Sequence, residues 1–223
     1  MALFYPNPVY LFIRGAFRRF FRFYGTWNVV GREHLPTEGP GIVISNHCSY
    51  LDPPLVGSAV PRPIAYMAKQ ELFKIPVLSW VCRRLESYPV RQNTVDREAL
   101  RETYRRLQEN WLIGIFPEGH RSEDARLHPF EPGIGMIALH SKAPVIPCAF
   151  TGTFQMMPPH SKTLRRSHIE VHFGPPLDLD DVYAMDDRKA AMAEVQRRGF
   201  EAVSALLESA ERAREVWYSG KGK

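Results

Sequence analysis

The chain has 223 residues, 44% hydrophobic and 24% charged, which is enough for one domain with a full core and excludes a disordered or low-complexity protein. Three cysteines, Cys48, Cys82 and Cys148, form no C-x-x-C pair and argue for reduced thiols and a cytosolic environment. The net charge of +5 suits phosphate-bearing partners such as nucleic acid, anionic lipid or phosphorylated metabolites, without choosing among them.

Residues 1 to 32 contain no Asp or Glu, and Tyr10 to Tyr24 reads YLFIRGAFRRFFRFY. At about 100° per residue, Phe12, Ile13, Ala16, Phe17, Phe20, Phe21, Phe23 and Tyr24 fill one half of a helix. Arg14, Arg18, Arg19 and Arg22 fill the other half, and only Leu11 is misplaced. A membrane-spanning helix needs roughly 20 mostly apolar residues, and arginines in the middle forbid it. A signal peptide needs an uninterrupted apolar stretch and a small-residue cleavage site, and neither is present. A helix lying in the bilayer interface wants this pattern, with aromatics on one face and arginines for anionic head groups on the other. A surface helix packed on the protein's own core is the competing reading. Phe4, Tyr5, Tyr10 and Trp27 would add aromatic anchors at head-group level. Residues 1–28 are therefore expected to be an amphipathic, membrane-associating segment, with residues 29–223 as one further domain.

Beyond Gly31, strand and helix signals alternate. Gly41 to Ser45 reads as a buried strand and Pro63 to Met67 as a second. Glu71 to Arg84 reads as helical with an interruption at Pro76, and Ser87 to Val90 as a short strand. Asn93 to Asn110 reads as a helix capped by Asn93 or Thr94. Leu112 to Phe116 and Val145 to Phe150 are further buried strands, with a short helix from Gly133 to Ser141 between them. Ile169 to Phe173 alternates as a half-exposed strand. Asp187 to Trp217 is a long terminal helix with a potential break at Gly199. This order predicts an α/β fold with a mixed, largely parallel central sheet flanked by helices, and sites at the carboxyl ends of its strands.

Two clusters carry chemistry. Asn46-His47-Cys48-Ser49-Tyr50-Leu51-Asp52 begins where the strand GIVIS ends. His47 and Asp52 lie about 140° apart on a regular helix, so a turn must join them, and Pro53-Pro54 is expected to end any helix there. A carboxylate on one imidazole nitrogen fixes the tautomer and makes the other a general base for a hydroxyl. Cys48 beside His47 invites a thiol-nucleophile reading, but sequence neighbours point apart. Phe116-Pro117-Glu118-Gly119-His120-Arg121-Ser122 again follows a strand and offers a phosphate fork, a hydroxyl and an orienting carboxylate. Each cluster alone also fits a structural turn. His168 and His172 can share a strand face, where a buried or solvated pair is a simpler reading than a metal site.

Together and in this order, the two clusters resemble the Asn-His-x4-Asp and Phe-Pro-Glu-Gly-Thr-Arg-Ser motifs of the glycerolipid acyltransferases. Tyr88-Pro89-Val90-Arg91 and Ala143-Pro144-Val145-Ile146-Pro147-Cys148-Ala149 resemble two further blocks of that family. Ala68-Lys69-Gln70-Glu71-Leu72-Phe73 and Phe130-x2-Gly133 also resemble family segments. The likeness runs from about Tyr10 to Phe173. It departs at His120, where Thr is usual, and at Glu131, where a basic residue is common.

The resemblance implies that His47 takes the proton of an acceptor hydroxyl and Asp52 orients His47. Arg91 and Arg121 would hold the acceptor phosphate, with Glu118 positioning an arginine or the glycerol hydroxyl and Ser122 nearby. Lys69 and backbone N–H groups around Gly119 would serve the oxyanion, and Pro147 would lie near the acyl site. It implies no metal and no cofactor. Residues 29–223 become an acyltransferase catalytic domain, with acyl-CoA or acyl carrier protein as donor and a lysophospholipid such as lysophosphatidic acid as acceptor. An anionic membrane surface would be a further partner. The expected location is peripheral or monotopic on the cytoplasmic face of the bacterial inner membrane. Acylation of another lyso-lipid and a catalytically weak membrane adaptor are the competing functions. No nucleic-acid motif accompanies the arginines.

Overall fold

The computed structural model describes residues 7–92, 94 and 96–220. The expected anchors Phe4 and Tyr5 and the expected cap Asn93 lie outside these residues. Helix α1 (Pro8–Tyr24) starts at Asn7, whose side chain accepts from the Val9 N–H. Its first-turn proline sits where a missing N–H costs no hydrogen bond. Strand β1 (Trp27–Val30) leads through a 3-10 turn at Arg32–His34 to β2 (Gly41–Ser45), which is buried along its whole length. Then come α2 (Asp52–Ala59), β3 (Ile64–Lys69), a 3-10 turn at Gln70–Lys74, α3 (Pro76–Arg84) and β4 (Tyr88–Val90). Helix α4 (Arg97–Gln108), β5 (Leu112–Ile115), α5 (Gly133–Ser141), β6 (Val145–Thr151) and a short α6 (Thr153–Met156) follow. Strand β7 (Ile169–Phe173), a short α7 (Asp180–Tyr183) and α8 (Arg188–Gly220) complete the described chain.

The described strands form one seven-stranded sheet in the order β1-β7-β6-β2-β5-β3-β4. All neighbours run parallel except β6 and β7, so the sheet is mixed and largely parallel, as expected. One face packs Phe21 of α1 with Leu55 and Val56 of α2, Val43, Cys148, Phe150 and Val171. The other packs Ile134 and Ile137 of α5 and Val195 and Val203 of α8 against Ile42, Ile44, Ile113 and Ala149. Strands buried on both faces must be apolar throughout, which is why GIVIS and LIGI show no alternation. The carboxyl ends of β2 to β6 gather at one edge of the sheet.

The elements differ from expectation at several points. Strand β1 carries no periodic signal in the sequence, and residue 28 lies within it. Strand β7 is buried on both sides rather than half-exposed. Its polar residues bond to one another: Glu170 accepts from or pairs with His168 (2.7 Å), His172 (3.4 Å) and Asn28 (3.0 Å). Trp217 of α8 stacks on His168 at 4.1 Å and covers that face. Helix α8 runs unbroken through Gly199, because there a Cβ would lie 3.1 Å from the Ile44 side chain; the glycine permits close approach and makes no break. Helix α4 is capped by Asp96, which accepts from the Glu98 and Ala99 N–H groups, rather than by Asn93 or Thr94.

Helix α1 does not divide into two halves. Tyr10 and Phe21 are buried, Phe17, Phe20 and Tyr24 pack against the core, and Arg14 donates inward to the Val60 carbonyl. Phe12 and Phe23 stay 77% and 68% exposed, so an apolar strip remains outside the packed stripe.

Candidate active site

Strand β2 ends at Ser45, and Asn46 closes its seam with β6. The Asn46 amide donates to the Phe150 carbonyl and accepts from the Phe150 N–H, both at 3.0 Å. The chain then turns, and the turn folds around the Asp52 carboxylate. Asp52 Oδ2 accepts from His47 Nδ1 at 2.8 Å and from the Cys48 and Ser49 N–H groups at 2.7 Å each. Asp52 is wholly buried and is the first residue of α2. Pro53-Pro54 therefore opens a helix rather than ending one, since first-turn N–H groups are unpaired anyway. The carboxylate places the His47 proton on Nδ1 and leaves Nε2, which has no partner among the described residues, as the basic nitrogen. Phe116 stacks on the imidazole with ring centres 4.1 Å apart, and Tyr66 stacks on Phe116 in turn.

The second loop grips the first. After β5, Phe116 to Gly119 makes a tight turn closed by the Gly119 N–H on the Phe116 carbonyl at 3.0 Å. Gly119 has φ +73°, which an L side chain rarely adopts. The buried Glu118 carboxylate accepts from the His47 N–H at 2.7 Å and from the His128 N–H at 2.9 Å. The Ser122 N–H donates to the His47 carbonyl at 2.7 Å. Both main-chain polar groups of His47 are thus held by the second loop. Burial pushes the Glu118 carboxyl above its ordinary value, against the opposing pull of the His128 and His47 N–H groups.

Arginines lie around this framework. Arg121 lies over the Tyr50 ring at 3.6 Å, and its Nη1 is buried without a hydrogen-bond partner. Arg91 is held by Asp96 through Nε and Nη2, both at 3.2 Å, and is half-exposed. The paired guanidinium pulls the Asp96 carboxyl down to about 2. Gln92 donates to the Gly119 carbonyl at 2.6 Å and ties the Arg91 segment to the second loop.

The structure thus joins His47, Asp52, Glu118, Gly119, Arg121 and Ser122 in one framework, with Arg91 linked through Gln92. The expected site residues differ in what they touch. Each Glu118 oxygen accepts one backbone N–H, so the carboxylate ties the His47 and His128 main chains together. The Ser122 hydroxyl donates to Asp124 at 2.8 Å, and the Gly119 N–H is already used in its turn. Lys69 ends β3 with its amine 4.0 Å from Glu71 and with no contact to His47. Pro147 is buried in the middle of β6, beside Gly174 and on the α8 side of the sheet, away from His47. The Cys48 thiol is buried, and burial together with the Asp52 carboxylate pushes it well above its ordinary value, so it stays protonated. Asn46, Tyr50, Gln92, Asp96 and Phe116 take part in the framework with roles that the sequence leaves unassigned. The Asn of Asn-His-x4-Asp and the Phe of Phe-Pro-Glu-Gly were the available signals for two of them.

The family model described as Acyltransferase matches residues 26–151. A 1-acyl-sn-glycerol-3-phosphate acyltransferase of Bacillus subtilis is 29% identical over 191 residues, covering 83% of this chain and 92% of the relative. One from Limnanthes douglasii is 32% identical over 190 residues, covering 83% of this chain and 67% of the relative. The crystal structure of the 1-acyl-sn-glycerophosphate (LPA) acyltransferase PlsC from Thermotoga maritima superposes with a TM-score of 0.68 at 30% identity. That match covers 86% of this chain and 78% of the crystallised one. With a family match over more than half its length and the His47–Asp52 pair inside it, the chain belongs to the acyltransferase family.

Proposed function

We propose that the chain moves a fatty acyl group from acyl-CoA or acyl carrier protein to the free hydroxyl of lysophosphatidic acid, giving phosphatidic acid. The observation that carries this reading is the His47 imidazole, bonded through Nδ1 to a buried carboxylate and left basic at Nε2. Nε2 takes the acceptor hydroxyl proton as its oxygen attacks the thioester carbonyl. The tetrahedral oxyanion collapses, the carbon–sulfur bond breaks, and the thiolate leaves with the proton from His47. No acyl-enzyme is required. The buried, unpartnered Nη1 of Arg121 suits an acceptor phosphate oxygen, and Arg91 supplies a second guanidinium in the linked loop.

Residues 1–28 carry the membrane-facing surface in this reading, residues 29–223 the catalytic domain. Exposed Phe12 and Phe23 supply an apolar contact, and the exposed arginines of α1 supply contacts to anionic head groups. Among the described residues, no helix is long and apolar enough to cross a membrane. Attachment to one face, the cytoplasmic face of the bacterial inner membrane, fits these features.

The test is acyl transfer from both thioester donors to a panel of lyso-acceptors, with Arg121→Ala and Arg91→Ala alongside the parent. Preference for a phosphomonoester acceptor is expected. Each substitution should raise the acceptor KM more than the donor KM, since a lost charge-assisted bond is worth about 1.5–3 kcal/mol. Equal effects on both substrates would refute the assignment of the arginines. Transfer only to acceptors without a phosphomonoester would refute the choice of lysophosphatidic acid.

A further inference from the structure

Several arginines of this chain are matched by carboxylates. Arg105 pairs with Glu102 and Glu109, Arg197 with Glu194 and Glu201, and Arg198 with Asp181 and Glu194. Between α1 and β1 a group of arginines without such partners gathers around one hollow. A cleft of 720 Å³ is lined by Arg18, Arg19, Arg22 and Arg32, with Trp27 and Asn28. None of the four arginines has a carboxylate partner among the described residues. Partial burial depresses the Arg32 guanidinium, and the nearby Arg18 charge adds to the effect.

This concavity is built by more than the helix surface. Arg32 comes from the 3-10 turn after β1, not from α1. That turn is fixed by Gly31, at φ +77°, where an added Cβ would collide with the Phe173 carbonyl of β7. The Arg32 guanidinium lies over the Trp27 ring at 5.9 Å. Like charges around one hollow make it strongly attractive to an anion, and guanidinium forks match the oxygens of a phosphate. On the same helix, exposed Phe12 and Phe23 flank the arginines, and Arg19 lies over Phe23 at 5.3 Å. An amphiphile with a phosphate head and an apolar tail fits both surfaces.

We propose that the α1–β1 cleft is a second phosphate site, apart from the arginines of the active site, that takes the phosphomonoester head group of an anionic lipid. The choice of a lipid rests on the reading of α1 as membrane-facing; the phosphate chemistry does not. Binding holds the enzyme by a defined contact, beyond a diffuse attraction between its basic helix and an anionic surface.

The test is co-sedimentation of the full chain, without acyl donor, with phosphatidylcholine vesicles doped with phosphatidic acid. Arg32→Gln and Arg32→Ala are compared with Arg101→Gln, an exposed charge on α4. A parallel arm measures binding of soluble glycerol phosphate by calorimetry, and melting temperatures show that the variants fold. Loss of a charge-assisted contact should weaken vesicle binding roughly tenfold for Arg32→Gln, with little change for Arg101→Gln. Equal small losses for both positions would overturn the cleft while leaving the membrane reading of α1 in place. Arg32-dependent binding of glycerol phosphate, with no vesicle binding by the parent, would uphold the phosphate site, assign it a soluble ligand and overturn the lipid. Absence of Arg32-dependent binding in both arms would overturn the site. None of these readings depends on turnover, so they stand apart from the acyl-transfer assignment.

Discussion

Replacing Glu118 with Gln separates positioning from substrate binding. Two backbone donors, the N–H groups of His47 at 2.7 Å and His128 at 2.9 Å, converge on the two carboxylate oxygens. An amide has one acceptor oxygen and presents an NH2 group on its other side. Whichever way the new amide is turned, one buried N–H faces a donor. A stranded buried donor costs about 1–3 kcal/mol. Burying a neutral amide in place of a carboxylate that burial already pushes above its ordinary value offsets part of that cost. At about 2–4 °C per kcal/mol for a chain of this size, a modest fall in Tm is expected. The larger effect is on rate, because a shift of about 1 Å at a reacting group can cost ~10²-fold. E118Q should therefore lower kcat with little change in the acceptor KM. The pH dependence of stability offers a second readout. In the parent the folded state binds the Glu118 proton more tightly than the unfolded state. Stability from this group thus falls as pH rises from the ordinary Glu value through the raised one, and E118Q should lack that slope. A raised acceptor KM, with kcat and Tm unchanged, would refute the positioning role.

Three further outcomes follow from particular contacts. Cys48→Ala should keep most activity, because the buried thiol stays protonated; complete loss in a folded variant would revive a thiol nucleophile. Phe12→Asp with Phe23→Asp should detach the protein from anionic vesicles at any salt without lowering Tm. Phe17→Asp with Phe20→Asp should lower Tm, because those rings pack against the core; co-sedimentation and melting curves on both pairs check this. Asp96, held at about 2 by Arg91, contributes stability present above its ordinary value and lost as pH falls toward about 2. Asp96→Asn should flatten that acid limb, and an unchanged limb would contradict the pairing.

The sequence made much of the scaffold and the His47–Asp52 pair legible, for identifiable reasons. Strands buried on both faces leave continuous apolar runs, and GIVIS and LIGI could be little else. His47 and Asp52 announced themselves through a spacing that only a turn can close. Strand β1 escaped because four residues directly after an aromatic helix give no periodic signal. Strand β7 misled because alternation reports polarity, not exposure; Glu170, His168 and His172 are buried by bonding to one another. In α1 the helical wheel found an amphipathic segment but could not say which stripe the core would take. The core took Tyr10 and Phe21 and drew in Arg14. The motif Phe-Pro-Glu-Gly located Glu118 but not its direction, since a side chain that turns inward to backbone donors looks the same in sequence as one facing substrate.

The central claim is that His47 is the general base and that Asp52 orients it. The most direct measurement is the rate of acyl transfer from acyl-CoA to lysophosphatidic acid by His47→Ala and Asp52→Asn, with Tm and vesicle binding followed on the same samples. A fall of ~10²–10⁴-fold is expected for His47→Ala, with folding and membrane attachment retained. Asp52→Asn should fail similarly, through a misplaced proton or a less basic imidazole. Near-parent turnover by a folded His47→Ala protein would contradict the mechanism.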